Sequence, residues 1–152
     1  MADTLDAIQL LKQDHREVES LFEQFEKASG NGDKEQLARR ICTELKVHAM
    51  IEEEILYPAL RGKIEDADLD EAYVEHDGAK VLINDIEAGS PDDQFYEAKV
   101  KVLKEEVEHH IKEEEKEQDN LFAQARKAEL QAIAETEGLP PAQPATLTEV
   151  EA

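Results

Sequence analysis

Four stretches of this chain carry apolar residues at steps of three and four, and histidine interrupts every one of them. The first runs Ile8, Leu11, Val18, Phe22, Phe25, with His15 in the gap. The second runs Ile41, Leu45, Ile55, Ala59, with His48 and Glu52 in the gaps. The third runs Leu69, Ala72, Ala79, Ile83, Ile86 around His76, and the fourth Tyr96, Val100, Leu103, Val107, Leu121 around His110 and Glu114. Such steps place a stripe on one helical face, and that face must be covered by another helix. The segments, roughly 3–28, 34–60, 68–88 and 92–134, are rich in Glu, Lys, Ala and Leu, which favour helix. Short breaks at 29–33, 61–62 and 88–92 separate them. We therefore expect an all-α fold, an up-down-up-down antiparallel four-helix bundle.

Local signals suggest where the helices begin. Asp33 suits a cap for the second helix, and Ser90 or Asp92 beside Pro91 suits the start of the fourth. Pro58 is expected to kink the second helix. The bundle domain is expected over 1–135. Residues 136–152 include LPPAQPATLTEVEA, with three prolines, and read as a disordered acidic tail.

The two halves echo each other. His15 precedes His48 by 33 residues, and His76 precedes His110 by 34. His48 and His110 each open an H-x-x-x-E, and Asp14-His15 matches Glu75-His76. An i, i+4 spacing puts His and Glu on one helical face. Counting to the first loop at ~1.5 Å per residue places His15 and His48 at about the same depth.

Burying lone carboxylates in an apolar bundle costs several kcal/mol unless something compensates. No Lys or Arg lies on the stripes at this layer. Protonated histidines or a metal remain as compensators. His with carboxylate suits iron, manganese or zinc, and six ligands are too many for one tetrahedral zinc. The candidate metal ligands are His15, His48, Glu52, His76, His110 and Glu114, a set that suits a pair of ions. His109 points off the stripe with Glu113 and is read as solvated. Glu53 and Glu115 are candidates to accept the other N–H of a ligand histidine. Tyr57 is read as a packing residue that could approach the metals.

The formal charge of −21 repels nucleic acid and anionic membrane surfaces, so neither is an expected partner. Cys42, the single cysteine, cannot form an internal disulfide and is read as a small core residue. The start MADTLDAIQLLKQDH lacks the layout of a signal peptide, which makes the cytoplasm the expected location. Nothing in the sequence names a protein partner.

The ordered set H…HxxxE…H…HxxxE, with HAMIEEEILYPAL and EHHIKEEE…LFAQAR, resembles the hemerythrin-like HHE cation-binding domains over roughly 5–127. The resemblance implies a non-heme di-iron centre with an oxo or hydroxo bridge, zinc or manganese being possible substitutes. It implies that His15 and His48 hold one iron, His76 and His110 the other, and that Glu52 and Glu114 bridge. Oxygen-carrying hemerythrins have HxxxH on the third helix and HxxxxD on the fourth. Here Ala72 and Lys80 flank His76, and Glu114 follows His110 at the shorter spacing. The expected function is reaction with, or sensing of, oxygen, peroxide or nitric oxide, or iron handling, rather than reversible oxygen carriage. No enzymatic reaction is indicated. The alternative is a helical interaction module whose polar layer only fixes register.

Overall fold

The structure, a computed structural model, describes residues 2–137. Every regular element among them is helical. Helix α1 spans Ala2–Lys27 and α2 spans Asn31–Ile51. The second arm continues through a π turn, Glu52–Leu56, into the single turn α3, Tyr57–Leu60. Helix α4 spans Asp66–Ala88. The fourth arm is α5, Tyr96–Ile111, followed by a second π turn, Lys112–Lys116, and then by α6, Leu121–Glu137. Helix α1 packs on α2, α2 on α4, α4 on α5, and α1 also on α5 and α6, which closes the four-helix bundle. The expected disordered tail at 136–152 falls, from residue 138 onward, outside the described residues.

A buried polar layer divides the core. Toward the 28–30 and 89–95 connections, Val18, Phe22, Phe25, Ile41, Cys42, Ile83, Val100 and Leu103 form one apolar cluster. Toward the other end, Ile8, Leu11, Leu56, Tyr57, Leu60, Leu69, Phe122 and Ala125 form another. Every arm passes from one cluster to the other at its histidine, so all four histidines share one level.

The π turns correct two expected core positions. A π turn closes an i→i+5 bond and adds one residue to its turn, so later positions rotate by about one residue. In the second arm the Tyr57 N–H bonds the Glu52 carbonyl. Leu56 and Leu60 consequently occupy the core, while Ile55 is 63% exposed and Ala59 is also exposed. The irregularity precedes Pro58 and recurs at Lys112–Lys116, where no proline is present. What the two π turns share is a buried glutamate, Glu52 or Glu114.

Three boundary expectations are also corrected. Helix α2 begins at Asn31 behind Gly30, without a side-chain cap, and Asp33 sits inside its first turn, where a negative charge favours the helix dipole. Helix α5 begins only at Tyr96, behind Phe95 in the left-handed region. Ser90 donates its N–H to Asp93 in the preceding turn. The fourth segment is not one helix. Asp119 takes a φ of 58°, and Asn120 Oδ1 accepts the Ala123 N–H at 2.9 Å. Asn120 therefore starts α6 as its cap.

Candidate metal centre

The polar layer is assembled from both hairpins. His15 comes from α1, His48 from the end of α2, His76 from α4 and His110 from α5. Glu52 and Glu114 come from the two π turns. Glu52 is 0% and Glu114 1% exposed, a burial that carboxylates rarely show without a partner.

The four imidazoles face inward in pairs. His15 Nε2 lies 3.2 Å from His48 Nε2, and His76 Nε2 lies 3.1 Å from His110 Nε2. Glu52 Oε1 stands between the pairs, 3.3 Å from His48 Nε2, 3.1 Å from His76 Nε2 and 3.6 Å from His110 Nε2. Glu114 spans them with both oxygens: Oε1 lies 3.1 Å from His15 Nε2 and Oε2 lies 3.2 Å from His110 Nε2. All six residues singled out in the sequence thus converge. They form two overlapping groups, His15–His48–Glu52–Glu114 and Glu52–His76–His110, each with ligand atoms within 4.8 Å of one another.

Each outward-facing Nδ1 meets a carboxylate. His15 Nδ1 lies 3.2 Å from Glu115, His48 Nδ1 3.4 Å from Asp14, His76 Nδ1 2.7 Å from Glu53 and His110 Nδ1 3.0 Å from Glu75. Glu53 and Glu115 were legible as candidates; Asp14 and Glu75 were not. The pattern follows the internal repeat. The acid preceding the first histidine of a hairpin, Asp14 or Glu75, holds the second histidine of that hairpin. The acid following each buried glutamate, Glu53 or Glu115, holds the first histidine of the other hairpin. Lys80 neutralises Glu53 at 3.0 Å, and Arg16 pairs with Glu115.

Tyr57 packs in the core, as read from the sequence, and its hydroxyl also reaches the layer. It donates to Glu114 Oε2 at 2.8 Å and lies 3.4 Å from His110 Nε2. In an uninterrupted α-helix, nine residues would turn Tyr57 to the side away from His48; the π turn brings it back. His109 is 59% exposed and lies 2.9 Å from Glu113, off the layer as expected. Lys80 is also outside it. Ala72 is buried in the core, so neither position flanking His76 adds a nitrogen donor.

The electrostatics fit a cation. Burial alone would lower His48, but the carboxylates of Glu52, Glu114 and Asp14 outweigh it and raise it to about 9. His110 is raised against its own burial by Glu114, Glu52 and Glu75. Burial opposes ionisation of Glu52, yet His48, Glu114 and His110 hold its carboxyl well below the ordinary range. Burial and the adjacent carboxylates push the Tyr57 phenol upward, and burial pushes the Cys42 thiol up to about 11. With its Nδ1–H given to a carboxylate, each imidazole can turn an Nε2 lone pair inward once any proton on that nitrogen has left. Each facing pair of nitrogens can share at most one proton. Both oxygens of Glu52 and Oε1 of Glu114 are buried without a hydrogen bond. A metal cation satisfies all of these atoms at once.

Comparison with known proteins agrees. The model of the hemerythrin HHE cation-binding domain matches residues 6–118. A DNA nickase from Nostoc sp. (strain PCC 7120 / SAG 25.82 / UTEX 2576) is 31% identical over 117 residues. That alignment covers 77% of this chain and 32% of the relative, so the chain spans about a third of that protein's length. No solved structure matches. Among the described residues no helix is long and apolar enough to cross a membrane. With its helical bundle and its buried His/Glu layer, the chain belongs to the hemerythrin HHE cation-binding domain family.

Proposed function

We propose that the layer holds a non-heme di-iron centre that reacts with or senses oxygen, peroxide or nitric oxide, or handles iron, and that it does not carry oxygen reversibly. The observation behind this reading is the pairing of imidazoles across two buried carboxylates. His15 and His48 hold one ion, His76 and His110 the other, and Glu52 and Glu114 lie between them. When bound, iron supplies redox chemistry and an open position for a small ligand. The protein supplies the rest. Asp14, Glu53, Glu75 and Glu115 set the four imidazole tautomers, and Tyr57 holds a phenolic proton against Glu114.

A small apolar cavity supports a compact neutral ligand. It has a volume of about 60 Å³ and lies against the histidines, walled by Val18, Leu45, Ala79, Ile83 and Val107. Ala72 and Lys80 beside His76 leave the second ion short of nitrogen donors. Oxygen-rich ligand sets favour the harder ferric ion, which argues against repeated return to a diferrous state. The activity of the relative belongs to a longer chain, of which the matched part is about a third. The net charge of −21 argues against carrying an activity on DNA over to this domain. To test the reading, the protein is reduced anaerobically, exposed to oxygen and then placed under vacuum while the visible spectrum is followed. Oxidation without recovery is expected. Recovery of the diferrous spectrum over repeated cycles would overturn it.

A further inference from the structure

The internal repeat breaks one turn away from the histidines. Three residues from each histidine, on the side of the apolar cluster around Phe22, each arm contributes one wall residue: Val18, Leu45, Ala79 and Val107. Val18 and Ala79 occupy matching places in the two hairpins, as do Leu45 and Val107. The second hairpin therefore has three fewer side-chain carbons in this layer, two at Ala79 against Val18 and one at Val107 against Leu45. The apolar cavity of about 60 Å³ lies between this layer and the histidines, and all eight residues line it.

The cavity is larger than a diatomic molecule needs. A water-sized group takes up ~10–15 Å³ on this measure, so about four to six heavy atoms fit. Dioxygen or nitric oxide fills at most half of that space. Leu45, Ala79 and Val107 are only partly buried, and the exposed Lys46 and Glu106 mark where the cavity meets solvent. Asp14, Glu44 and Glu75 add carboxylates to its lining, which disfavours an anionic ligand. The opposite face of the layer is covered, with the Phe122 ring stacked on His15 at 5.8 Å and the Tyr57 ring 5.6 Å from His76. A polar cavity reaches His110 and Glu114 from the side, but its only apolar walls are Ala72 and Leu121.

The geometry points to a short-chain alkyl hydroperoxide as ligand, its head toward the histidines and its tail of two or three carbons in the apolar cavity, with Ala79 setting the tail length admitted. It rests on the reading of the layer as a di-iron centre. Among oxygen, peroxide and nitric oxide, only a peroxide can carry an alkyl group. With two or three carbons it has four or five heavy atoms and no charge, which matches the cavity in size and lining. Its tail packs on Val18, Leu45, Ile83 and Val107, each of which lines the cavity. Ala79 is the determinant because it is the smallest member of the layer and lies one turn from His76.

Alkyl isocyanides test this as unreactive probes, being neutral, with a head that binds ferrous iron and a tail of chosen length. Iron-loaded full-length protein is reduced anaerobically and titrated with methyl, ethyl and n-propyl isocyanide while the spectrum is followed. In wild type, affinity should rise about fourfold per CH2 along the series. Ala79→Leu restores three carbons to the layer and should abolish the rise, leaving methyl isocyanide the tightest. Ala79→Val should stop the rise at ethyl, and it carries the test if the leucine variant fails to load iron. Val74→Leu, on the outer side of the same helix where Val74 is 70% exposed, should leave the series unchanged. Equal affinities for the three probes in wild type overturn the assignment, as does an unaltered rise in the Ala79 variants. Wild type that holds its iron yet binds no isocyanide overturns it too, while the reading of the centre stands. Failure of wild type to hold iron would instead overturn the centre, and the ligand assignment with it.

Discussion

Four carboxylates, each on an outer imidazole nitrogen, decide which way the inner nitrogens face. Acceptors of this kind fix the tautomer and raise ligand basicity, and their loss costs about 10–100-fold in metal affinity. Glu53→Gln and Glu115→Gln should each weaken binding by that factor in a chelator competition. Glu52→Ala should do more, emptying both positions, because Oε1 of Glu52 lies near three of the four nitrogens. Metal analysis that finds one position filled in Glu52→Ala would contradict its bridging place. The pH dependence has a definite sign. His48 is raised from 6.5 to about 9 in the metal-free protein. Its protonated form therefore stabilises the metal-free fold fully below 6.5, and that contribution fades as pH rises through about 9. The same protons occupy the nitrogens a metal needs. The gain in melting temperature on adding metal should thus be small near pH 6 and larger near pH 9. Equal gains at the two pH values would count against this coupling.

The π turns are the elements that a sequence pattern cannot reveal. An i→i+5 turn uses the same residues as an i→i+4 turn; only the carbonyl chosen by each N–H differs. The apolar run Ile55-Leu56 offers two acceptable core residues in succession, so spacing alone favoured the wrong one. The structure makes the difference measurable. Leu56→Ala should cost about 2–5 kcal/mol, as buried Leu truncations do. Ile55→Ala should stay within about 0.5 kcal/mol, as exposed substitutions do. Denaturant midpoints separate these outcomes, and the reverse order would remove the π turn from the second arm. The break before α6 was hidden for a different reason. The 116–120 stretch, Lys-Glu-Gln-Asp-Asn, contains residues that tolerate helix, and only the left-handed Asp119 and the capping Asn120 reveal the stop.

At the scale of the molecule, the site was more legible than the elements that carry it. Four helices and six inward residues could be read because helical period is short-range and buried His and Glu are rare enough to mark a stripe. Which carboxylate meets which histidine was not legible, because all four contacts cross between helices; Glu53 and Glu115 stood out only as acceptor candidates beside the buried glutamates. Tyr57 was legible as a packing residue that could approach the layer; the π turn decides that its hydroxyl reaches Glu114. The layer that results separates two apolar clusters. Without metal, the centre leaves orphaned carboxylate oxygens and opposed imidazoles that weaken the middle of the bundle. Binding and folding should therefore be linked. The most direct measurement is an anaerobic titration of metal-free protein with ferrous iron, with bound metal and melting temperature recorded at each step. Saturation at roughly two ions per chain, with melting temperature rising throughout, is the predicted result. Metal-free protein of undiminished stability that takes up no iron would contradict the account.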